Sequence, residues 1–309
     1  MYFSATTILL VFFAAMLCAT AISCGWFTYR VLHPKAISLS DCLQKEIQKG
    51  WLDPITFANL NKEHFTILSK FGYAIHGEYI QTVKSTKTVI LSHGISSNRY
   101  GMMRYIPLFQ DLGFNILSYD LRGHGESGGK NISYGYFEKH DLVSLVDWLI
   151  DKHSEKISIG TMGVSLGAAV SLQHAGIDPR LTFTIAEASF SDLSELLAYR
   201  LKAEYHLPPF PFIPVTAVLC RAISGMDLYQ VSPERAGATI KTPVFIIHGE
   251  DDNYIPPKMS LNIFNSLAAS QKRLYHAEGA GHSSSLRADP EEYKRQITIF
   301  LSSIGIKEE

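Results

Sequence analysis

The pentapeptide Gly163-Val164-Ser165-Leu166-Gly167 follows the apolar run 157–162 and precedes a segment with helical character that begins at Leu166. Gly-x-Ser-x-Gly is common by chance, but between a buried strand and a helix it describes a nucleophile elbow. The glycines permit a sharp turn where side chains would clash, and the turn exposes the serine hydroxyl above the sheet. The pattern therefore predicts that Ser165 is a nucleophile at the N-terminus of a helix.

Short apolar runs alternate with helical stretches on both sides of this turn. Strands are predicted at 65–68, 73–80, 88–92, 115–119, 157–162, 181–186, 244–248 and 272–276. Helices are predicted at 100–112, 136–152, 257–269 and 290–303, with a further one from residue 166. Apolar strands separated by helices are typical of an α/β protein, so we expect a mainly parallel sheet with helices on both faces. The first two strands read as an antiparallel hairpin at its edge.

Residues 192–235 interrupt this alternation. The segment is rich in Leu, Tyr, Phe and Pro and shows no strand pattern. We interpret it as a helical cap insertion that lies over the sheet.

A serine nucleophile needs a base and an orienting carboxylate, and both follow later strands. Strand 244–248 continues into Glu250-Asp251-Asp252, and strand 272–276 continues towards Gly281-His282. These positions lie at the carboxyl ends of the strands, where the sites of parallel sheets collect. We predict that His282 takes the proton of Ser165 and later passes it to the leaving group.

Backbone N–H groups near the serine are expected to stabilise a developing oxyanion. The first-turn N–H of Leu166 lacks a helical partner, and the loop after strand 88–92 supplies the N–H of Ile95. We expect His93 and His124 to shape loops beside this site rather than to bind a metal or act as a second base.

The N-terminal segment carries no Asp, Glu, Lys, Arg or His between Tyr2 and Tyr29. About 20 apolar residues cross a bilayer core, so we expect one membrane-spanning helix near 7–27. Two alternatives are a signal peptide cleaved near Ala21 and a lipoprotein-like site at Cys24, although both normally begin with basic residues that are missing here. A buried helix of a soluble domain is a third.

Basic residues collect after this segment, at Arg30, Lys35, Lys45 and Lys49. The positive-inside bias therefore favours the cytoplasmic side for the globular part of a single-pass membrane protein. A helix is expected at 38–50, either as a linker or along the membrane surface.

The charge balance and the cysteine pattern of the chain bear on which partners and cofactors it can bind. The chain has 28 Lys and Arg against 29 Asp and Glu, which argues against a nucleic-acid partner. Its four cysteines form no Cys-x-x-Cys pair, and we expect Cys42 and Cys220 to be free thiols. The sequence implies no metal and no cofactor, and it leaves the oligomeric state open.

Several of these motifs together resemble the α/β-hydrolases over about residues 60–305. They are His93-Gly94, the run Tyr119-Asp120-Leu121-Arg122-Gly123-His124-Gly125-Glu126-Ser127, the elbow, the His-Gly-x-x-Asp-x-x-Ile-Pro run ending at Pro256, and Gly281-His282. In that family the acidic residue of the triad stands three positions before the Val or Ile of the His-Gly-x-x-Asp-x-x-Ile-Pro run. This position implies Asp252, with Asp251 as the second choice. Asp120, Arg122 and Glu126 are interpreted as an ion-paired turn.

The chain most resembles membrane-anchored bacterial hydrolases similar to serine aminopeptidase-like and monoglyceride-lipase-like proteins. This resemblance implies a serine hydrolase that cleaves carboxylic esters through an acyl-enzyme. An apolar cap near a membrane favours lipid-derived esters with medium or long acyl chains, such as monoacylglycerols or lysophospholipids. A peptidase or thioesterase would use the same triad, and a membrane-tethered binding or scaffold protein is the alternative of another class.

The expected domain organisation has three parts. An anchor at 1–29 is followed by a juxtamembrane helix or linker at 30–59, and the hydrolase domain at 60–305 includes the cap at 192–235.

Overall fold

A single eight-stranded sheet forms the centre of the computed structural model, which describes residues 4–82, 85–153 and 157–306. Its strands are β1 (Lys62–Leu68), β2 (Ala74–Ile80), β3 (Lys87–Ser92), β4 (Asn115–Tyr119), β5 (Ser158–Val164), β6 (Phe183–Glu187), β7 (Val244–Gly249) and β8 (Lys272–Ala277). They follow the spatial order β1-β2-β4-β3-β5-β6-β7-β8. Strands β3 to β8 run parallel, whereas β2 pairs antiparallel with both β1 and β4. The predicted parallel sheet with an antiparallel hairpin at its edge is confirmed.

Helices cover the sheet and connect its strands. They are α1 (Ala5–Leu32), α2 (Leu39–Gln48), α3 (Pro54–Asn59), α4 (Ile106–Asp111), α5 (Glu138–His153), α6 (Leu166–Ala175), α7 (Leu193–Tyr205), α8 (Pro209–Ser224), α9 (Pro233–Gly237), α10 (Lys258–Ser266), α11 (Ser285–Ala288) and α12 (Pro290–Ser303). Short 3-10 helices span Arg99–Tyr105 and Leu228–Gln230. The predicted helix 100–112 is thus a 3-10 helix continued by α4.

Two hydrophobic layers, one on each face of the sheet, hold these helices in place. One layer joins α5, α6 and the cap to the sheet through buried residues such as Leu145 and Val170. The other joins α4 and α12 to the sheet through Phe109 and Phe300. Strands β3, β4 and β7 are buried along their whole length, which explains their continuous apolar runs.

The cap consists of helices and contains no strand within residues 192–235, all of which the structure describes. Asp192 begins α7 by accepting a hydrogen bond from the N–H of Ser194 at 2.9 Å. Buried Leu196 and Phe212 join α7 and α8 to the core.

Helix α1 has two different halves. Its first turns expose large apolar side chains from Ile8 to Leu17, whereas Phe27 and Val31 in its last turns are buried against the core. The Thr28 hydroxyl lies 3.2 Å from that of Thr216 in α8. The helix is long and apolar enough to cross a membrane and continues to Leu32, so the expected boundary at residue 29 falls inside it.

Helix α2 confirms the helix expected at 38–50. Cys42 and Glu46 are buried on one face of α2, which packs on the 3-10 helix Arg99–Tyr105. Glu46 forms an ion pair with Arg104, with 3.3 Å between Oε2 and Nε. Residues 39–48 therefore belong to the packed globular part. Cys42 and Cys220 are both buried and free, as predicted.

Candidate active site

Ser165 stands at the sharp turn between β5 and α6. Its φ of 56° and ψ of −115° are strained for a residue with a side chain. A Cβ at Gly163 would lie 2.1 Å from the carbonyl oxygen of Gly167, and one at Gly167 would lie 2.0 Å from that of Ser92. A side chain at either position would clash with the neighbouring backbone, so both positions require glycine.

A chain of hydrogen bonds connects the three residues that we predicted as a triad. His282 Nε2 lies 3.0 Å from Ser165 Oγ, and His282 Nδ1 lies 2.7 Å from Asp252 Oδ2. Ser165 follows β5, Asp252 follows β7 and His282 follows β8, so all three lie at the carboxyl ends of parallel strands. The arrangement can transfer a proton from the serine hydroxyl to the imidazole while the carboxylate orients the ring.

Asp252 is 2% exposed and is held by several donors. Its Oδ1 accepts hydrogen bonds from the N–H groups of Tyr254 and Ile255 at 2.9 and 2.8 Å, and His248 Nε2 lies 3.2 Å from Oδ2. Burial alone would raise the pKa of Asp252, but the contacts with His248 and His282 hold that pKa well below its usual value. The carboxyl is therefore ionised at neutral pH, whereas the Asp251 side chain is exposed.

Glu187, at the end of β6, fixes the loop that follows His282. Its buried carboxylate accepts hydrogen bonds from the hydroxyls of Tyr105 and Tyr293 at 2.9 and 2.7 Å. It also accepts one from the N–H of Ser285 at 3.2 Å, and its backbone carbonyl accepts the N–H of Ser165 at 2.8 Å. One residue thus holds both the elbow and the histidine loop.

The two expected oxyanion donors lie beside Ser165. Leu166 is the first residue of α6, and Ile95 follows β3; both residues line a cavity together with Ser165. Among the described residues, no backbone–backbone hydrogen bond outside helices and strands uses the Ile95 N–H. His124 Nε2 lies 2.6 Å from the carbonyl oxygen of Ile95 and so fixes the orientation of that loop.

His93 and His124 shape loops, as we expected. His93 Nδ1 lies 2.8 Å from the carbonyl oxygen of Gly94, and its Nε2 accepts the N–H of Leu121 at 2.9 Å. Burial, and then the neighbouring His124, lower the pKa of His93 well below its usual value, so the ring is neutral. Within the described ranges, no group of three or more His, Cys, Asp or Glu is arranged to hold a metal ion.

The ion-paired turn is present, but its cation is Arg99 rather than Arg122. Arg99 pairs with Asp120 and, at 2.7 Å, with Glu126. Arg122 instead donates from Nε to the carbonyl oxygen of Asn131 at 2.7 Å. No sequence pattern indicated a role for His248, although it begins the His-Gly run that contains Asp252.

Two cavities meet at Ser165. The first has a volume of about 230 Å³ and lies between the last turns of α1 and the cap helix α7. The second has a volume of about 430 Å³ and lies among α2, the 3-10 helix Arg99–Tyr105 and the loop after His282. A substrate bound across Ser165 can therefore place one part on each side of the nucleophile.

The chain is similar to known proteins in sequence and in fold. It is 34% identical to the uncharacterized protein YqkD of Bacillus subtilis over 90% of this chain and 92% of YqkD. It is 28% identical to the lysophosphatidylserine lipase ABHD12 of Danio rerio over 74% of this chain and 56% of that protein. The structure of the Pyrococcus furiosus esterase Pf2001 superimposes with a TM-score of 0.67 at 25% identity, over 82% of this chain and 96% of the esterase.

The sequence model of the alpha/beta hydrolase family matches residues 89–296. This range includes the elbow and the loops after β7 and β8, which carry the three residues of the hydrogen-bonded series. The chain belongs to the alpha/beta hydrolase family.

Proposed function

We propose that the protein is a serine hydrolase that cleaves carboxylic esters through an acyl-enzyme. The observation that carries this proposal is the hydrogen-bonded series Ser165, His282 and Asp252 beneath two open cavities. The lipase and esterase among its relatives support an ester substrate over an amide or a thioester.

The geometry supports a two-step mechanism. His282 Nε2 accepts the proton of Ser165 as Oγ attacks the ester carbonyl carbon, and the N–H groups of Ile95 and Leu166 stabilise the oxyanion. When the carbon–oxygen bond of the ester breaks, His282 gives this proton to the departing alcohol. His282 then takes a proton from water, whose oxygen attacks the acyl-enzyme, and returns it to Ser165 as the acid leaves. Asp252 stays ionised and stabilises the imidazolium in both steps.

Ester, thioester and amide substrates with one common acyl group test the reaction type. We expect the purified full chain to hydrolyse a butyrate ester much faster than the butyryl thioester, and to leave the butyryl amide almost untouched. Faster turnover of the amide or thioester would replace the esterase proposal with a peptidase or thioesterase. A folded protein that cleaves none of the three would favour a binding or scaffold role.

The first cavity is suited to the acyl chain. Phe27 and Val31 of α1, Leu196 and Leu197 of α7, and Phe190 line it together with Ser165. These apolar side chains bury hydrocarbon favourably. The last turns of α1 therefore form one wall of the proposed acyl site.

Replacing Leu197 with phenylalanine should shorten the acyl chains that the enzyme accepts. The larger ring fills part of the first cavity, so we expect kcat/KM for an octanoate ester to fall about tenfold relative to acetate. Ester hydrolysis by the variant is measured across a chain-length series. Leu261→Phe, at a position 43% exposed, is the matched control. An unchanged chain-length profile for Leu197→Phe would contradict this placement of the acyl chain.

We also propose that α1 is an uncleaved membrane anchor. Its first half is apolar and exposed, and its second half is packed against α8. The apolar half would lie in the bilayer, so that esters reach the acyl cavity from the membrane surface. Because basic residues collect from Arg30, in the last turn of α1, onwards, we place the hydrolase domain on the cytoplasmic side.

Deleting residues 4–22 should release the protein from the membrane without loss of short-ester hydrolysis. The deletion removes the exposed turns and leaves Phe27 and Val31, which line the acyl cavity. The full chain should resist extraction by an alkaline carbonate wash, and the deleted chain should be soluble. Mass spectrometry of the membrane-bound protein should find α1 intact, whereas an N-terminus directly after Ala21 or at Cys24 would establish a cleaved signal.

A further inference from the structure

The two cavities beside Ser165 differ in their relation to the proposed general acid. His282 lines the second cavity, whereas it is not among the residues that line the first. In ester cleavage the general acid protonates the departing alcohol, so the alcohol part of the substrate must lie on the histidine side. The second cavity is therefore the site of the leaving group, which we call the leaving-group cavity.

This cavity is strongly cationic. Lys45, Lys49, Arg104 and Arg287 line it, and Glu46 is the only acidic side chain that the described residues contribute to its lining. The whole chain has almost equal numbers of basic and acidic residues. The positive charge at this cavity is therefore a local feature that does not follow from composition. The first cavity also carries basic residues, Arg30, Lys35 and Arg200, beside Glu204.

Most of this positive charge is unmatched. Glu46 is buried and pairs with Arg104. Lys45, Lys49 and Arg287 are exposed, and none of them forms an ion pair with an acidic side chain in the described parts of the chain. These cations consequently face the cavity and are available to an anionic ligand.

Trp51 holds two of the cations in position. The ammonium of Lys49 lies 4.3 Å from the centre of the indole ring, and the guanidinium of Arg104 lies 4.0 Å from it. Partial desolvation, and then Lys45, lower the pKa of Lys49; Glu46 opposes this shift, and Arg104 and Arg287 add smaller contributions that lower the pKa. These like charges repel one another, and a bound anion would relieve that repulsion.

We propose that the alcohol part of the substrate carries a phosphate group, which the leaving-group cavity binds. A phosphate carries up to two negative charges and offers several acceptor oxygens, which suits a group of Lys and Arg donors better than a neutral alcohol does. This inference rests on the proposed ester hydrolysis and names its substrate class: acyl esters of a phosphorylated alcohol, with the acyl chain in the first cavity.

Two water-soluble esters test this proposal without a membrane. One is the butyrate monoester of glycerol 3-phosphate and the other is glycerol monobutyrate, each assayed with the full chain in neutral detergent. Because one charge-assisted contact changes binding by at least about tenfold, we expect kcat/KM to be at least about tenfold higher for the phosphate ester. The advantage should shrink as salt is added.

The triple variant Lys45→Gln, Lys49→Gln, Arg287→Gln should lose this preference through a higher KM for the phosphate ester. Its kcat/KM for glycerol monobutyrate should fall much less than its kcat/KM for the phosphate ester, whereas a merely structural role for these cations would lower both activities equally. Lys241→Gln, at an exposed position just before β7, is the matched control and should keep the preference. Thermal unfolding shows whether each variant is folded. If the triple variant does not fold, the single variant Lys49→Gln takes its place in the assay.

Three results would overturn the proposal. They are equal use of both esters by the unmodified chain, a preference that survives the substitutions, and an equal loss of both activities in the variant. Weaker binding to anionic phospholipid vesicles with an unchanged ester preference would assign the cations to the membrane surface instead. If neither ester is cleaved and a fluorophosphonate leaves Ser165 unlabelled, the proposed esterase function itself is wrong. If Ser165 is labelled and the neutral ester is cleaved without a preference for the phosphate ester, only the proposed phosphate site is wrong.

Discussion

Replacing Ser165 with alanine should lower kcat for ester hydrolysis on the order of 10⁶-fold, because the variant cannot form an acyl-enzyme. The alanine differs by one oxygen atom, and the Ser165 side chain does not cap α6, so the fold should be retained. Steady-state hydrolysis of a butyrate ester measures the loss, and thermal unfolding measures the stability of the variant.

Ser302→Ala is the matched control for this substitution. Ser302 is exposed near the end of α12, far along the chain from the elbow, and its replacement should leave hydrolysis unchanged. Appreciable ester turnover by purified Ser165→Ala would show that another group carries the reaction.

Replacing Asp252 with asparagine should lower kcat about 10⁴-fold, the loss typical of a triad whose histidine takes the wrong tautomer. An amide nitrogen would donate to His282 Nδ1 and leave the proton on Nε2, which must be free to accept the proton of Ser165. The neutral amide would also fail to stabilise the imidazolium. Ester hydrolysis at neutral pH checks both consequences.

Asp251→Asn separates this effect from a general loss of negative charge. The two aspartates are adjacent, but only Asp252 lies within hydrogen-bond distance of His282, whereas the Asp251 side chain is exposed. We expect Asp251→Asn to retain the activity of the unmodified chain. A large loss in Asp251→Asn together with an active Asp252→Asn would exchange the roles of the two residues.

The positions of the strands and the elbow were predictable because their signals are local. Buried parallel strands require continuous apolar runs, and these runs stand out between helical segments. Gly163 and Gly167 mark close backbone contacts that exclude any side chain, so the elbow is visible in five residues. Once the strands were assigned, the acidic run and His282 followed from their positions after β7 and β8.

Contacts between distant parts of the chain were not predictable from local patterns. The last turns of α1 pack on the cap. One hydrogen bond in this contact joins Thr28 and Thr216, which are 188 positions apart in the sequence. An apolar helix shows the same composition whether lipid or protein covers it, so the packed half of α1 gave no separate signal. Likewise, only the folded chain brings Arg99 to Asp120, and Lys49 near Arg287.

The contribution of His248 was missed for a related reason. It is the penultimate residue of the buried strand β7, in a common His-Gly run, and its distance to Asp252 depends on the turn that follows β7. Its second contact, 2.8 Å to the carbonyl oxygen of Ile255, shows that it also fixes this turn. The turn therefore supports the carboxylate that is proposed to orient His282.

Labelling of the purified full chain with a fluorophosphonate tests the proposed nucleophile most directly. Mass spectrometry locates the modified residue, and Ser165→Ala and His282→Ala serve as comparison variants. An activated serine predicts one modification, at Ser165, that both substitutions abolish. A folded, unmodified chain that stays unlabelled, or one that is labelled at another residue, would contradict a serine-hydrolase mechanism at this site.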